Sequence, residues 1–410
     1  MSDGKVAAIK CRGRRVVVGR QIDEEGIQML AFRRRKRRHA DPSRPRRVLM
    51  ILDSFDFGGA ENLIVELGRH APKDLRLSVA SLLPADKGRN AMVDRLIAAG
   101  LDPSYLSVRR LADPLGFIRL IVTIRRTPVD VLHAHLDYSA ILVPLAARLA
   151  GKAAVATLHV SPQRNAPRRE RVKERLSVRI PARLGRVVFV SQHIYDEYAR
   201  QHGPARSTWM MIPNGVDVDR FTVRRESAVD RPPVWAAVAA LRPDKNHRDL
   251  VRAWAGVVAA HPGATLLIVG DGPCRGEIEK AVAAGGLEGA VRLMGRQENV
   301  PEILASVDGV VSASVDEALP TALIEAAACG LPVVAADAGG TREIVIDGNN
   351  GRLVGLRDVT ALTEALLSVI EDPARAAAYG AAGRALVEEK YSLTTWVRQL
   401  ETLYDEVSCD

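Results

Sequence analysis

The residues best suited to chemistry are two carboxylates, Glu317 and Glu325, which bracket the start of a short predicted helix. Pro320 suits the first position of that helix and Gly330 its C-terminal cap, which gives it about ten residues. Carboxylates on either side of a helix N-terminus can accept charge-assisted hydrogen bonds from hydroxyl groups that flank a bound anion. The alternative is an acid that only complements the helix dipole, together with an ordinary surface glutamate. The spacing alone leaves both interpretations open.

The first turn of the same helix could bind an anion through its backbone. The free N–H groups of a helix N-terminus carry partial positive charge and favour phosphate. The small side chains of Ala318 and Ala322 would let a phosphate approach the backbone closely. The predicted donors are the N–H groups of Thr321, Ala322 and Leu323, at the cleft end of the helix.

A second group of polar residues, 240–247, follows a predicted strand. Arg242 offers a planar fork of donors and Lys245 a compact charge, and both suit a diphosphate. For these two residues taken alone, solvated loop charges are the simpler interpretation.

Two series of alternating apolar runs and helical patterns must position these groups. In the first series, predicted strands end near residues 52, 135, 158 and 190. The second series has predicted strands at 234–240, 265–269, 291–294, 309–312 and 332–336. Repeated strand, loop and helix units predict parallel sheets with helices on both faces, that is, an α/β fold of two Rossmann-like domains. Such domains bind ligands at the carboxyl ends of their strands, in the cleft between them.

Length, charge and turn residues divide the 410-residue chain into four segments. Residues 1–46 contain 14 Lys and Arg against 5 Asp and Glu, so they hold the whole net charge of +9. Because like charges repel, we expect a disordered leader there. Turn residues predict a boundary between a first domain at 47–213 and a second at 214–391. The last segment, 392–410, is predicted to be a helix that packs back on the first domain.

The composition is that of a globular protein, with 47% hydrophobic and 26% charged residues. Aromatic residues make up only 4%, which argues against stacking platforms for single-stranded nucleic acid. No apolar stretch has the length of a transmembrane helix, and no secretory signal is recognisable. The cysteines lack zinc-site and C-x-x-C spacing, which favours a reducing, cytoplasmic location. They are Cys11, Cys274, Cys329 and Cys409.

Taken together, the motifs resemble those of the retaining glycosyltransferases of sequence family four, which have the GT-B fold of two facing Rossmann-like domains. The likeness covers residues 47–405. Each motif is weak alone, whereas five in the right order are specific. The matching motifs are the pair Arg242 and Lys245, the E-x7-E spacing of Glu317 and Glu325, and the segments 213–217, 269–273 and 339–345.

The resemblance implies transfer of a sugar, with retention, from a nucleotide-diphosphate donor to a carbohydrate or lipid-linked acceptor, in the synthesis of cell-surface polysaccharide or glycolipid. It implies no metal and no cofactor, because two basic side chains and a helix N-terminus can stabilise the diphosphate leaving group. By the same resemblance, Glu317 holds the donor sugar hydroxyls and Glu325 the nucleotide ribose. Arg242 and Lys245, with the backbone at 321–323, hold the diphosphate, so that both side chains and Glu317 are catalytic.

The resemblance also assigns roles around the predicted cleft. His135 matches an active-site histidine at the end of an H-x-H strand and is the fourth catalytic residue. Gly59 would let a loop of the first domain approach donor and acceptor closely. Asp271 and Arg296 are expected to line the pockets for base and sugar. We expect His133 on the other face of its strand, with a structural role.

Three features depart from the family pattern or compete with it. Ala318 stands where the family usually has glycine, and we expect a modest effect unless that position needs a positive φ angle. The D-x-D sequence at 217–219 is typical of metal-dependent transferases of a different fold. Here it directly follows the predicted domain boundary, in the stretch 213–219, which is called the interdomain segment below. The Gly-Asp-Gly sequence at 270–272 suggests a dinucleotide site but lacks the third glycine of that motif.

Two other classes of function stay open at this point. A nucleotide-sugar epimerase or hydrolase on the same architecture would turn over the donor without an acceptor. A non-catalytic binding module could meet nucleic acid through the leader, although we expect no specific nucleic-acid partner.

A basic segment at 164–186 contains nine Lys and Arg against two Asp and Glu. Four apolar residues recur there at about every fourth position, so one helix face could be apolar, as in helices that bind membrane surfaces. We predict that this segment and the basic run at 33–38 contact anionic lipid on the inner face of the cell membrane. The alternative is a helix packed on the core of the first domain with a solvated basic face. The apolar residues are Val172, Leu176, Ile180 and Leu184.

Overall fold

The structure is a computed structural model that describes residues 44–87, 90–109, 113–162, 166–223 and 231–409. Most of the predicted leader, including its basic run at 33–38, lies outside the described residues, as does Arg164. The described end of the leader is part of the folded body, because β1 begins at Arg46 and Arg44 pairs with Asp130.

The first α/β unit alternates strands and helices along the chain. Its strands are β1 (Arg46–Leu52), β2 (Leu75–Ser81), β3 (Pro103–Tyr105), β4 (Val131–His135), β5 (Ala153–Leu158), β6 (Arg186–Phe189) and β7 (Trp209–Met211). Its helices are α1 (Gly59–His70), α2 (Val93–Ala98), α3 (Pro114–Arg126), α4 (Asp137–Ala150), α5 (Arg168–Leu184) and α6 (Gln192–His202). Within the described residues the strands form one parallel sheet in the order β3-β2-β1-β4-β5-β6-β7.

The second unit repeats this architecture with a smaller sheet. Its strands are β8 (Val234–Val238), β9 (Thr265–Val269), β10 (Val291–Gly295), β11 (Gly309–Ser312), β12 (Val333–Ala336) and β13 (Gly351–Val354). Its helices are α7 (His247–Ala260), α8 (Arg275–Ala284), α9 (Val300–Ser306), α10 (Thr321–Ala328), α11 (Thr341–Ile344), α12 (Val359–Ile370) and α13 (Pro373–Leu386). The described strands pair in parallel in the order β10-β9-β8-β11-β12-β13.

The predicted fold class is confirmed, since both sheets are parallel and are covered by helices on both faces. Runs of Val, Ile, Leu and Ala form the central strands because both of their faces are buried. In both sheets the carboxyl ends of the strands lead into the loops that carry the predicted site residues. None of the described helices is both long enough and apolar enough to cross a bilayer.

The C-terminal helix, α14 (Leu393–Cys409), packs on the first sheet, although the chain reaches it from the second unit. Trp396 of this helix is buried in the same core layer as Met50 of β1. Where the chain returns, the N–H of Leu393 donates to the carbonyl of Val216 at 2.8 Å. Gly215 makes this crossing possible, because a Cβ there would lie 2.7 Å from Cβ of Trp396.

Helix α5 buries a different face from the one that its apolar spacing suggests. Val172 and Leu176 are 49% and 39% exposed, so these two residues of the apolar stripe lie on the outer side of the helix, whereas Ile180 and Leu184 are half-buried. Lys173 anchors the helix to α4 through a 2.8 Å ion pair with Asp137. The residues that α5 turns towards the core are Glu174, Ser177, Val178, Pro181 and Ala182.

Candidate functional site

The loop after β8 brings Arg242 and Lys245 to the carboxyl edge of the second sheet. A 3-10 turn, Pro243–Lys245, forms there, and Asn246 ends it with a left-handed φ of 50° before α7 begins. The guanidinium of Arg242 donates to both oxygens of Asp244, at 3.1 and 2.8 Å. Burial alone would raise the pKa of Asp244, but these hydrogen bonds and the charge of Lys245 hold it below its ordinary value.

The two glycines of the Gly-Asp-Gly sequence pack against this loop. A Cβ on Gly270 would lie 1.9 Å from the carbonyl oxygen of Ala239, and one on Gly272 would lie 2.5 Å from that of Leu241. The N–H of Leu241 donates to the carbonyl of Asp271 at 3.1 Å. Close backbone packing therefore accounts for both glycines, while Asp271 stays in an exposed loop beyond β9.

An ion pair joins the loop after β8 to the loop before α10. Lys245 Nζ lies 2.7 Å from Glu317 Oε1, and both side chains are only 13% exposed. The structure thus brings two of the predicted site residues into direct contact. An anion that binds Lys245 would compete with Glu317 and leave that carboxylate free to accept hydrogen bonds.

The N-terminus of α10 follows Glu317 of this ion pair closely in the sequence. It offers fewer free backbone N–H groups than predicted. Pro320 precedes the helix, which has eight residues rather than ten, and no side chain caps it. The N–H of Leu323 already donates to the carbonyl of Pro320 at 3.0 Å, so it is not free. Within the described chain, the N–H groups of Thr321 and Ala322 have no backbone acceptor. At the other end, Gly330 has the left-handed φ of 67° that a C-terminal cap requires.

The two glycines that follow β12 hold the loop of Glu317 in place. A Cβ on Gly339 would lie 2.2 Å from the carbonyl oxygen of Glu317, and one on Gly340 would lie 2.1 Å from that of Ala318. The N–H of Gly340 donates to the carbonyl of Glu317 at 2.9 Å. Ala318 is not among the non-glycine residues that have a positive φ in the described chain, so this position does not require glycine.

Glu325 lies on the second turn of α10 and is half-buried. Burial raises the pKa of Glu325 to about 7, while the positive charge of Arg220 lowers it and the negative charge of Glu66 raises it. No donor among the described residues forms a hydrogen bond with its carboxylate. A carboxylate in this state can accept hydrogen bonds from hydroxyl groups of a ligand.

An ion-pair network beside Glu325 joins α1 to the interdomain segment. Arg220 donates to Glu66 at 2.7 Å, and His70 lies 3.0 Å from Asp217. Asp217 of the D-x-D sequence also accepts the backbone N–H of Asp219 at 3.0 Å, which makes it part of a turn. Glu66, His70 and Asp217 place ligand-type atoms within 4.8 Å of one another, but Glu66 is already paired with arginine.

Two histidines of β4 lie at the carboxyl edge of the first sheet. The expectation that His133 faces away from His135 is wrong, because residues two apart in a strand share a face and the ring centroids are 4.2 Å apart. Both nitrogens of His133 have protein partners, the hydroxyls of Tyr404 and Thr157, each at 2.7 Å. His135 Nδ1 lies 3.0 Å from Nε2 of His159, which follows β5.

The start of α1 faces the second unit across the cleft. Gly59 is the first residue of α1, and a Cβ there would meet no atom of the described residues within 4 Å. Phe57, just before it, contacts Arg296 of the loop after β10, whose guanidinium carbon lies 4.0 Å from the ring centroid. Arg296 is thus held over the cleft by a cation–π contact between the two units.

A second contact between the units lies at α6. Glu343 accepts the backbone N–H groups of Gln192 and His193, at 3.0 and 2.8 Å. Ser191 donates to the carbonyl of Ala318 at 2.6 Å. A cavity of about 410 Å³ lies at this contact and is lined by His193 and Glu343 among others.

Sequence reasoning missed His159 and Phe57 as members of this region. His159 ends the β5 run as His135 ends the β4 run, and a comparison of neighbouring strand ends would have paired them. Phe57 carries no such signal, because its contact with Arg296 spans residues far apart in the chain.

Two family models together cover most of the chain. Residues 57–220 match the model described as Glycosyltransferase Family 4, and residues 219–386 match the model described as Glycosyl transferases group 1. The boundary between the two matches falls in the interdomain segment.

Two similar proteins are named as sugar transferases. One is the GDP-mannose-dependent monoacylated alpha-(1-6)-phosphatidylinositol monomannoside mannosyltransferase of Corynebacterium glutamicum. The two sequences are 34% identical over 225 residues, and this alignment covers 50% of this chain and 58% of that protein. The chain is also 26% identical over 359 residues to the 2-deoxystreptamine glucosyltransferase of Streptomyces kanamyceticus, covering 82% of this chain and 86% of that protein. The chain therefore spans little more than half of the mannosyltransferase.

Solved structures share the fold over almost their whole length. Anabaena HepE in complex with UDP superposes with a TM-score of 0.76 at 23% identity, over 87% of this chain and 99% of that one. The sucrose-phosphate synthase of Thermosynechococcus elongatus gives a TM-score of 0.72 at 20% identity, over 88% and 99%. These likenesses show a shared GT-B architecture.

Proposed function

This chain belongs to glycosyltransferase family 4, and from that premise we propose that it transfers a sugar, with retention and without a metal, from a nucleoside diphosphate to a carbohydrate or lipid-linked acceptor. The observation that carries the proposal is the contact between Lys245 and Glu317 beside the uncapped start of α10. It places a cation, a carboxylate and free backbone donors at one sheet edge.

The first step of the proposed reaction is an exchange of partners at Lys245. In the structure this cation neutralises Glu317. A donor diphosphate would take over Lys245, and Glu317 would then accept hydrogen bonds from hydroxyls of the donor sugar. Glu325 would accept the ribose hydroxyls, which suits a half-buried carboxylate to which none of the described residues donates a hydrogen bond.

Cleavage of the sugar–phosphate bond leaves negative charge on the diphosphate. Arg242, Lys245 and the N–H groups of Thr321 and Ala322 would stabilise that charge. Fixed donors of this kind contribute about 2.7–4 kcal/mol each to a transition state. For the acceptor to end on the same face of the sugar, its hydroxyl would attack from the side of the leaving group, with the diphosphate oxygen accepting the proton.

Names of relatives suggest the class of donor. HepE has been solved with UDP and with UDP-glucose, and the Corynebacterium relative is named for GDP-mannose. Both donors contain a diphosphate linked to a sugar, which is the part that Arg242, Lys245 and α10 would bind. We therefore propose a nucleoside diphosphate sugar as the class of donor, and binding experiments with different nucleotides identify the base.

A thermal-shift assay with UDP-glucose and GDP-mannose tests donor binding. A ligand present at about 100 times its Kd adds about 2.7 kcal/mol of stability, which is readily measured. We expect one of the two to raise the melting temperature of the wild-type chain and to lose this effect in Lys245→Ala. If Lys245→Ala kept the full shift, the diphosphate site would lie elsewhere.

Incubation of the enzyme with its donor alone separates transfer from the alternative activities. A hydrolase or epimerase converts the donor at its full rate without an acceptor. A transferase shows only slow release of the nucleoside diphosphate until an acceptor is added, which is the result we expect.

We also propose that the outer face of α5 contacts anionic lipid. Val172 and Leu176 are exposed among arginines, and α3 presents a second exposed stripe, with Leu115 at 66% and Ile118 at 56%. Apolar side chains flanked by arginine suit insertion at a negatively charged bilayer surface. Such a surface would bring a lipid-linked acceptor close to the cleft.

Co-sedimentation with vesicles tests this contact. The wild-type chain should bind vesicles that contain anionic lipid and not neutral ones, and Val172→Ser with Leu176→Ser should weaken binding. Leu356→Ser, which removes a similarly exposed leucine from the second unit, is the matched control. Equal, negligible binding to both kinds of vesicle would refute the contact. Deletion of residues 1–43 would measure how much the leader contributes to vesicle binding.

A further inference from the structure

Three histidines lie side by side at the carboxyl edge of the first sheet, and the family resemblance implies a catalytic role for one of them, His135. His133 and His135 belong to β4, and His159 follows β5. Because both nitrogens of His133 are bonded within the fold, that ring is a structural element. The remaining two rings form a separate pair.

His135 and His159 meet edge to edge through a single hydrogen bond. Nδ1 of His135 lies 3.0 Å from Nε2 of His159, and the two ring planes differ by only 25°. The other nitrogen of His135, Nε2, is buried and has no partner among the described residues. An unsatisfied buried polar atom is unfavourable, and its position at the carboxyl end of a parallel strand, where such folds bind ligands, is consistent with an atom kept for a ligand.

The position of the proton shared by the two rings decides whether Nε2 of His135 accepts or donates a hydrogen bond. If His135 donates from Nδ1, its Nε2 is a bare acceptor. If His159 donates from Nε2 instead, His135 carries its own proton on Nε2 and becomes a donor. Burial lowers the pKa of His159 to about 4 and that of His135 well below its ordinary value, so both rings are neutral at pH 7.

We propose that His159 is a positioning residue that donates from its Nε2 to Nδ1 of His135 and so makes His135 Nε2 a hydrogen-bond donor to the bound nucleotide sugar. The inference rests on the proposed function, because only an oxygen-rich ligand gains from a donor at this point. Hydroxyl and phosphate oxygens accept hydrogen bonds, and donors aimed at an anionic leaving group favour its departure.

The surroundings of His159 agree with this arrangement. His159 is half-buried, whereas His135 is 1% exposed. With its proton on Nε2, His159 leaves Nδ1 as a bare acceptor, which water can reach at the more exposed ring. The neutral partner of His135 also adds no charge near the cleft, unlike a carboxylate, which would repel a diphosphate.

Nitrogen NMR of the full chain labelled with ¹⁵N-histidine tests the proton position without any substrate. Protonated and bare ring nitrogens resonate far apart, and signals that disappear in His135→Phe and His159→Phe identify the two rings. We expect His135 of the wild-type chain to be protonated on Nε2. Protonation of His135 on Nδ1 would overturn the proposal.

A kinetic experiment then asks whether His159 acts through His135. The probe is the slow release of UDP from UDP-glucose, or of GDP from GDP-mannose, that we expect without an acceptor. His159→Phe should lower kcat about tenfold or more, with donor KM within about twofold. His159→Gln, whose amide can donate from a similar position, should recover a substantial part of the loss and keep His135 protonated on Nε2.

Tyr404→Phe is the matched control, because it removes a partner from His133 and none from His135. It should lower the melting temperature but leave the His135 tautomer unchanged and kcat within about twofold. If His159→Phe and Tyr404→Phe lowered kcat equally, His159 would be only structural and the proposal would fail. Absence of a thermal shift with both donors in the wild-type chain would contradict the proposed function, while the NMR result would still decide the tautomer.

Discussion

The two sheet edges that face the cleft use opposite electrostatic designs. The edge of the first sheet holds the neutral histidines His135 and His159 and a carboxylate, Asp53, whose pKa is raised to about 6 by burial. The edge of the second sheet holds formal charges that are paired with each other, above all Lys245 with Glu317. This difference supports the proposal that the second edge binds the anionic part of the donor through its charges, whereas the first edge offers hydrogen bonds from uncharged imidazole rings.

Lys245→Ala should produce the largest loss, because it removes the central charge of the second edge. We expect kcat to fall at least about a hundredfold, since donors to an anionic leaving group are worth about 2.7–4 kcal/mol. Steady-state kinetics with the donor identified by thermal shift measures this. Lys280→Ala, at an exposed lysine of α8, should be unaffected. Near-normal turnover in Lys245→Ala would remove this lysine from the mechanism.

Gly59→Ala asks whether the first edge works through close approach. A Cβ at this position meets no atom within 4 Å in the part of the chain that the structure describes, and alanine is the better helix former at the start of α1. We therefore expect unchanged or slightly higher thermal stability together with about tenfold lower turnover, because only the ligand would meet the added methyl.

Gly289→Ala provides the comparison for this substitution. Its Cβ would also meet nothing within 4 Å, but the residue lies in a turn before β10, at the opposite end of the strand from the cleft. Full activity in both variants would show that the ligand does not approach Gly59.

The sequence predicted the second edge better than the first. Arg242, Lys245, Glu317 and Glu325 occur in short local motifs, and the loops that carry them are set by nearby glycines such as Gly340. Local backbone geometry is what a sequence pattern encodes most directly, so these positions could be expected at the cleft.

What the sequence did not reveal depends on contacts between distant segments. The outward position of Val172 and Leu176 follows from how α5 packs on α4, and periodicity alone cannot say which side of a helix meets the core. The N–H of Leu323 was expected to be free, but the tight first turn of α10 closes it onto Pro320. The partner of His135 comes from the next strand of the sheet.

Glu325→Gln should change how stability depends on pH. The pKa of Glu325 is raised from 4.5 to about 7 in the folded chain. Between these values the folded protein holds a proton that the unfolded chain has lost, so rising pH lowers the free energy of unfolding. Denaturant unfolding should show the variant gaining on the order of 1 kcal/mol over the wild type between pH 5 and 7, allowing for solvent at the carboxylate.

An exposed carboxylate tests whether this effect belongs to the site. Glu364→Gln, on the solvent side of α12, should follow the wild-type curve at every pH. The free energies of unfolding of Glu325→Gln and the wild type could instead depend on pH in the same way. Glu325 would then be ionised in the folded protein, and the second edge would carry one more negative charge.

Phe57→Leu should have the smallest effect. It removes the contact between the two edges, but it removes no side chain that is proposed to bind the donor. Without the ring, Arg296 loses its cation–π partner, which is worth about 0.5–1 kcal/mol at an exposed site. We expect donor Kd, measured by calorimetry, to rise about two- to fivefold, because Arg296 is then free to leave the cleft. Phe57→Tyr keeps the ring face and should bind the donor like the wild type. If Phe57→Leu bound the donor more tightly, the contact with Arg296 would be a barrier to donor entry, and the edge of the first sheet would oppose the second instead of assisting it.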